Sequence, residues 1–330
     1  MKKILLTVWG FLLSFFVVSS TYAFNDVALD NPDFVPILYF HEVDVVSGND
    51  DGTFGPENPV SRAAALKILL EAADQEIPDT VSQRLFNDVP LDAWFAPYVT
   101  AGVQSGIIST VNATFRPGDT LNRAEVAKMI VEVFEIDLNQ YPIEGSLADV
   151  PEDAWFAPYV KFLVYFQVFG TAEDDSVSPS QLVSRQELMR YMFLFLAQGG
   201  GLNPEVLLQL ADRSMSQTLP ALQSGQLVAS VLYTNHAETL SGLALKLLPE
   251  NPTLQAVSKM VEALRNFLLG NSAFSQEMLA EAIAYSKTAW AAADEAATLE
   301  PKLELLEQQV QSFASQIAEA ARAAGGADPE

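Results

Sequence analysis

The 330-residue chain contains no cysteine. Disulfides, thiolate metal sites, cysteine nucleophiles and a lipidated N-terminal cysteine are therefore excluded. Histidine is nearly absent: His41 and His236 are the two present, in unlike contexts. No His-Glu-x-x-His, Gly-x-Ser-x-Gly or phosphate-loop string occurs. A pair of carboxylates stays open in so acidic a chain, because two Glu or Asp at useful distance need no local motif. The reading is a non-catalytic protein with no cofactor and no metal site. Basic residues are scarce as well: 18 Lys and Arg face 42 Asp and Glu, a net charge of −24. Residues 24–197 carry 9 basic and 27 acidic residues, and residues 198–330 carry 7 and 15. Such a field repels nucleic acid and anionic lipid. Basic patches interleaved with aromatics, the usual nucleic-acid footprint, are missing. An anionic ligand would need local cations strong enough to overcome the global field.

At the N-terminus, Lys2 and Lys3 precede an apolar run from Ile4 to Val18, then Thr21-Tyr22-Ala23. This reads as a secretory signal peptide over residues 1–23, cut after Ala23; the alternative is an uncleaved anchor. The apolar run is short for a span of ~20 residues, and no later stretch is long and apolar enough to cross a bilayer. The mature chain is thus expected outside the cytoplasm.

Self-similarity is the main signal. Asp26, Asp88 and Asp149 stand in Phe24-Asn25-Asp26-Val27, Phe86-Asn87-Asp88-Val89 and Leu147-Ala148-Asp149-Val150, spaced 62 and 61 residues apart. Asp92-Ala93-Trp94-Phe95-Ala96-Pro97-Tyr98-Val99 returns as Asp153-Ala154-Trp155-Phe156-Ala157-Pro158-Tyr159-Val160, while copy one has Phe34-Val35-Pro36-Ile37 in register and no Trp. Each copy then carries a turn, such as Asp51-Gly52-Thr53-Phe54-Gly55-Pro56, and a helix start: Ser61-Arg62-Ala63, Asn122-Arg123-Ala124-Glu125 or Ser184-Arg185-Gln186-Glu187. Ser and Asn are N-cap types, Pro suits a first helical turn, and Leu66, Leu69, Leu70 and Val126, Met129, Ile130, Val133 follow at helical spacing. Two helices around a turn are expected in each copy.

In these residues the chain resembles the S-layer homology (SLH) domain, whose repeat pairs an F-x-D-V opening with a T-R-A-E helix start. The resemblance covers residues 24–197, read as repeats 24–83, 84–145 and 146–197. It implies a three-repeat all-α bundle with the second helices at its centre and grooves between repeats that bind wall-linked polysaccharides, commonly bearing acidic pyruvyl ketals. Family arginines at this position line the groove, which makes Arg62, Arg123 and Arg185 candidate ligand contacts. The residues alone leave two readings. Each Arg follows an N-cap, where free N–H groups and a planar guanidinium could hold a carboxylate; or each Arg pairs with its own repeat's Asp26, Asp88 or Asp149. Trp94, Trp155, Tyr98 and Tyr159 either stack on sugar rings or pack between repeats. Asp26, Asp88, Asp149, Glu125 and Glu187 are read as structural or groove residues. Copy one lacks both the Trp and the motif Glu, so binding is expected to rest mainly on copies two and three. Asn49-Asp50-Asp51-Gly52 lacks the spacing of a calcium loop and reads as a turn.

Residues 198–202, with Gly199-Gly200-Gly201, read as a linker, and 325–330 as a frayed tail. Residues 203–324 read as helical, with one or two helices from Pro204 to Leu248, an Asn251-Pro252 start, a stop at Gly270, a helix over 273–298, and a last helix after Pro301. That last helix shows a heptad seam of Leu303, Leu306, Val310, Phe313, Ile317, Ala320 and Ala324. The expected architecture is an antiparallel bundle closed within the chain; the alternative pairs the last helix between chains as a homo-oligomer. In function, the expectation is an envelope protein held to wall polysaccharide, and the alternative is a scaffold whose acidic tail recruits a protein.

Overall fold

The computed structural model describes residues 23–327, all helix, turn and loop with isolated bridges and no strand among the described residues. The expected leader, up to residue 22, and residues 328–330 lie outside them. The chain forms two compact units, one ending at Leu202 and one beginning at Asn203. Among the described residues no helix is long and apolar enough to cross a membrane.

The first unit repeats one helix pair three times: α1 Phe34–Glu42 and α2 Arg62–Ala72, α3 Ala96–Gln104 and α4 Arg123–Val133, α5 Ala157–Tyr165 and α6 Arg185–Gly199. The second helix of each pair starts at the expected cap. Ser61 accepts from the Ala64 N–H, and Asn122 and Ser184 form full capping boxes with Glu125 and Glu187. Copy one has half a box because Ala64 stands where the other copies have Glu. The three helix starts meet around a ring of three backbone bonds: Val60 N–H to Val183 O (2.9 Å), Val183 N–H to Leu121 O (2.9 Å), Leu121 N–H to Val60 O (3.2 Å). The side chains of Val60, Leu121 and Val183 are fully buried there, each worth about 1.5–3 kcal/mol of apolar burial.

The ring also fills the helix N-termini. The Arg62 and Ala63 N–H groups donate to Asp119 O and Pro117 O of copy two; Arg123 and Ala124 donate to Gln181 O and Pro179 O of copy three; Arg185 and Gln186 donate to Asn58 O and Pro56 O of copy one. The expectation of free helix-start N–H groups is therefore corrected: the next repeat's turn uses them, because ring closure brings its carbonyls onto the helix axis. The opening Asp of each copy staples its own turn instead. Asp26 accepts from the Phe54 and Gly55 N–H groups (2.7 and 2.8 Å), Asp88 from Phe115 and Arg116 (2.8 and 2.7 Å), Asp149 from Val177 and Ser178 (2.9 and 2.7 Å). α6 ends at Gly200 in the left-handed region (φ 74°), the Gly201 N–H bonds to Leu196 O, and Leu202 is buried.

The second unit is an antiparallel helical bundle of α7 Pro204–Gln223, α8 Leu227–Leu247, α9 Pro252–Ser275, α10 Leu279–Leu299 and α11 Glu304–Ala323. Asn203 and Asn251 cap α7 and α9 ahead of their prolines. Two readings are corrected. Gly270 does not stop α9; it lies buried inside the helix, where a Cβ would stand 3.3 Å from Ser286 Oγ and 3.4 Å from Ala282 O, so it permits a close crossing with α10. On α11 the buried positions are Val310, Ala314, Ala318 and Ala321, one face round from the even seam, and they pack against α9 and α10 of the same chain.

Candidate glycan-binding grooves

The arginines do not pair with their own repeat's aspartates, as one sequence alternative had it. Those carboxylates are spent on turn N–H groups, and each guanidinium reaches the following repeat. Arg62 Nη2 meets Glu125 Oε1 at 2.8 Å, and Arg123 Nη2 meets Glu187 Oε1 at 3.3 Å while its Nη1 donates to Val177 O at 2.9 Å. Arg185 closes the circuit differently because copy one has no Glu. Its Nε donates to Phe54 O at 2.9 Å, its guanidinium lies 4.7 Å over the Phe54 ring, and burial pulls its pKa down against the opposing pull of Asp26. Burial would favour protonation of Glu187, but the Ser184 N–H and Arg123 outweigh it and hold its pKa below the ordinary value. The Nε–H of Arg62 and of Arg123 is buried without an acceptor in the protein, a costly state for a donor.

The aromatic candidates lie elsewhere, at the seams where α3 packs on α2 and α5 on α4. Trp94 and Trp155 are 56% and 57% exposed, so neither is a core residue. The Tyr98 hydroxyl donates to Glu71 Oε1 at 2.6 Å, and Tyr159 to Glu132 Oε1 at 3.1 Å. Burial and the paired carboxylate raise both phenol pKa values. Trp94 lies edge-on to Tyr98, ring centroids 6.5 Å apart. Lys67 sits 5.7 Å from the Tyr98 ring and 2.7 Å from Glu71; Lys128 holds the matching position on α4. Sequence reasoning missed this Lys-Glu pair, though its signal was there: Lys at five and Glu at nine residues after the motif Arg in copies one and two. Each cluster is shared, with Lys and Glu from one copy and Trp and Tyr from the next. Copy one, lacking Trp, still contributes half of a site. The arginines stand apart: a rise of 1.5 Å per residue puts Lys67 about 7.5 Å and Glu71 about 13 Å along α2 from Arg62.

The third seam, α6 against α1, is built otherwise. Asp33 replaces the Trp, Arg190 the Lys and Leu194 the Glu. Asp33 is fully buried and takes a two-pronged bond from Arg190 (2.5 and 2.6 Å), which raises the arginine's pKa. Asn31 donates to Gln186 (2.9 Å), which donates in turn to Glu57 (2.6 Å). Ion pair and amide bridge occupy the place where the other seams expose an aromatic face.

Residues 42–66, 85–127 and 146–189 match the family model of the S-layer homology domain. The three segments are S-layer homology domains. The SLH segments and the S-layer relatives below place the chain at the bacterial cell surface. A surface-layer 125 kDa protein of Lysinibacillus sphaericus is 31% identical over 151 residues, 43% of this chain and 12% of that one. An S-layer protein of Bacillus thuringiensis subsp. finitimus is 25% identical over 180 residues, 53% of this chain and 21% of its own length. An amylopullulanase of Thermoanaerobacterium thermosulfurigenes is 29% identical over 124 residues, 37% and 6% of the two chains. The chain thus spans a small part of the relatives' length, and SLH segments occur in chains of different overall activity.

Proposed function

We propose that this is a non-catalytic envelope protein whose SLH unit grips a wall-linked acidic polysaccharide, carrying pyruvyl ketals, at two of its three seams. One observation carries the reading: an exposed Trp, a Tyr, a Lys and a Glu recur at matching positions on the α2/α3 and α4/α5 seams and are replaced on the third. A Trp face stacks on a sugar ring, the carboxylate accepts from sugar hydroxyls, and Lys67 or Lys128 supplies a local cation for an acid group. In a chain of net charge −24 such local cations are what an anionic glycan requires. Arg62 and Arg123, each with a spare buried N–H, support these two grooves from the axis, whereas Arg185 is a structural tie.

The test is retention of the protein on purified wall sacculi, before and after removal of the ketal-bearing polymer. Loss of retention on stripped walls is expected, and equal retention would sink the glycan reading. Trp94→Ala and Trp155→Ala are each expected to weaken retention about tenfold, a usual effect of removing one aromatic anchor, and together to abolish it without unfolding the protein.

A further inference from the structure

Beside the Asp33–Arg190 latch, the third seam opens into a cavity of about 350 Å³, toward the lower end of the ~300–1,000 Å³ of small-ligand pockets. Its walls come from both ends of the first unit, with Glu57 of copy one facing Gln181, Leu182, Ser184, Gln186 and Arg190 of copy three. These polar walls belong to this seam alone. Where Gln186 meets Glu57, the α2/α3 seam has Ala63 and Gly118, and the α4/α5 seam has Ala124 and Ser180.

The polar groups of the cavity are only partly spent on the fold. Gln186 is buried and held at both ends, accepting from Asn31 and donating to Glu57 Oε1. Glu57 keeps its second oxygen. Arg190 gives Nε and Nη2 to Asp33 and keeps both N–H groups of Nη1. Ser184 Oγ accepts from the Glu187 N–H at 3.3 Å and keeps its own proton to donate. Gln181 is tied into the ring through its backbone, whose carbonyl takes the Arg123 N–H at 2.9 Å; its exposed side-chain amide makes no bond among the described residues. Spare donors and spare acceptors thus surround one small space. A hydroxyl, which both donates and accepts, satisfies such a mixture. The exposed Leu182 side chain adds an apolar patch for the C–H face of a ring.

Charge then selects among sugars. Arg190 is neutralised by Asp33, and the Glu187 carboxylate on the cavity wall by Arg123. Glu57 has no cationic partner among the described residues, so the cavity carries an uncompensated negative charge that repels an acid group. We propose that this cavity binds an uncharged sugar residue of the wall polymer through its hydroxyls, as a third subsite whose chemistry differs from that of the two aromatic seams. The assignment rests on the reading of the SLH unit as a glycan binder. It divides the polymer between subsites, with acidic sugars at Lys67 and Lys128 and uncharged ones here. One sugar ring held by hydrogen bonds in an open site is expected to dissociate at about millimolar concentration. That is too weak to hold the protein on a wall by itself, but it adds to binding once the other seams are engaged.

The test is NMR of the isotope-labelled full mature chain, titrated with N-acetylglucosamine and, separately, with glucuronic acid. The uncharged sugar should move the side-chain amide signals of Gln181 and Gln186 and the Arg190 Nε–H signal, and the acid should leave them in place. Signals that stay still with the uncharged sugar up to its solubility limit, or that move more with the acid, would overturn the proposal. Gln181→Ala should raise the dissociation constant of N-acetylglucosamine about threefold to tenfold, the worth of one hydrogen bond, and Gln181→Trp should fill the cavity and block it. A constant that neither change alters also overturns the assignment. The readout is local, so the two readings fail separately. A protein that ignores ketal-bearing sacculi loses the glycan reading as a whole, whereas one retained on them with unmoved cavity signals loses only this subsite.

Discussion

Removing one partner of the Asp33–Arg190 pair should cost far more from one side than from the other. The Asp33 side chain is 1% exposed, whereas the Arg190 side chain is 37% exposed. Arg190→Ala leaves a carboxylate sealed between α1 and α6 with its cation gone. Breaking a buried pair in this way costs 3–5 kcal/mol, and partial access of solvent to the seam brings the expected value to about 3 kcal/mol. Asp33→Ala leaves an arginine whose long side chain can swing its head group into water, so about 1 kcal/mol is expected. The double variant should be more stable than Arg190→Ala alone, with a coupling of about 2 kcal/mol. Hydrogen exchange of the α1 and α6 amides in the full chain measures this unit by itself, and 3 kcal/mol corresponds to exchange accelerated about 150-fold. Equal effects of the two single changes, or a double variant worse than Arg190→Ala, would refute the account of the third seam as a buried ionic latch.

Three further outcomes follow from the same geometry. Arg123→Ala removes the bonds to both Glu187 and Val177 O and should cost about 2 kcal/mol, with Arg123→Lys recovering less than half; urea midpoints read by exchange in α4 and α6 check this. Asp88→Asn keeps one acceptor for two turn N–H groups, so the turn after Ala113 should loosen by about 1–2 kcal/mol while the equivalent turns at Asp26 and Asp149 keep their protection. Burial holds His236 down to about 4, against an ordinary 6.5. Its stabilising neutral form is fully favoured above 6.5 and is lost as pH falls from 6.5 toward 4, up to about 3 kcal/mol in the second unit. His236→Gln should remove that increment from the difference between urea curves at pH 7 and pH 4.5, and an unchanged difference would show that other groups carry it.

Much of the fold was legible because local chemistry specifies it. Ser61, Asn122 and Ser184 announced their helices, and Asn251-Pro252 did the same in the second unit. Partner choice was not legible, since it depends on closure of the three copies into a ring. Arg62 and Asp26 share a repeat, yet the ring places Glu125 nearer. The missing Glu in copy one foretold which tie would differ, and Arg185 is the one that turns to a carbonyl and a ring face. Gly270 carried too little information: glycine serves equally as a terminator and as a place where helices nearly touch.

The ring of Val60, Leu121 and Val183 backbone bonds has a consequence for how such a unit can grow or shrink. In an open stack of repeats each unit touches only its neighbours, and copies can be gained or lost one at a time. Here the third copy's N–H groups are answered by the first, so a chain with two or four copies would leave unmet donors at the centre rather than a shorter or longer array. The unit is expected to melt as one body, and to be inherited, transplanted or deleted in threes.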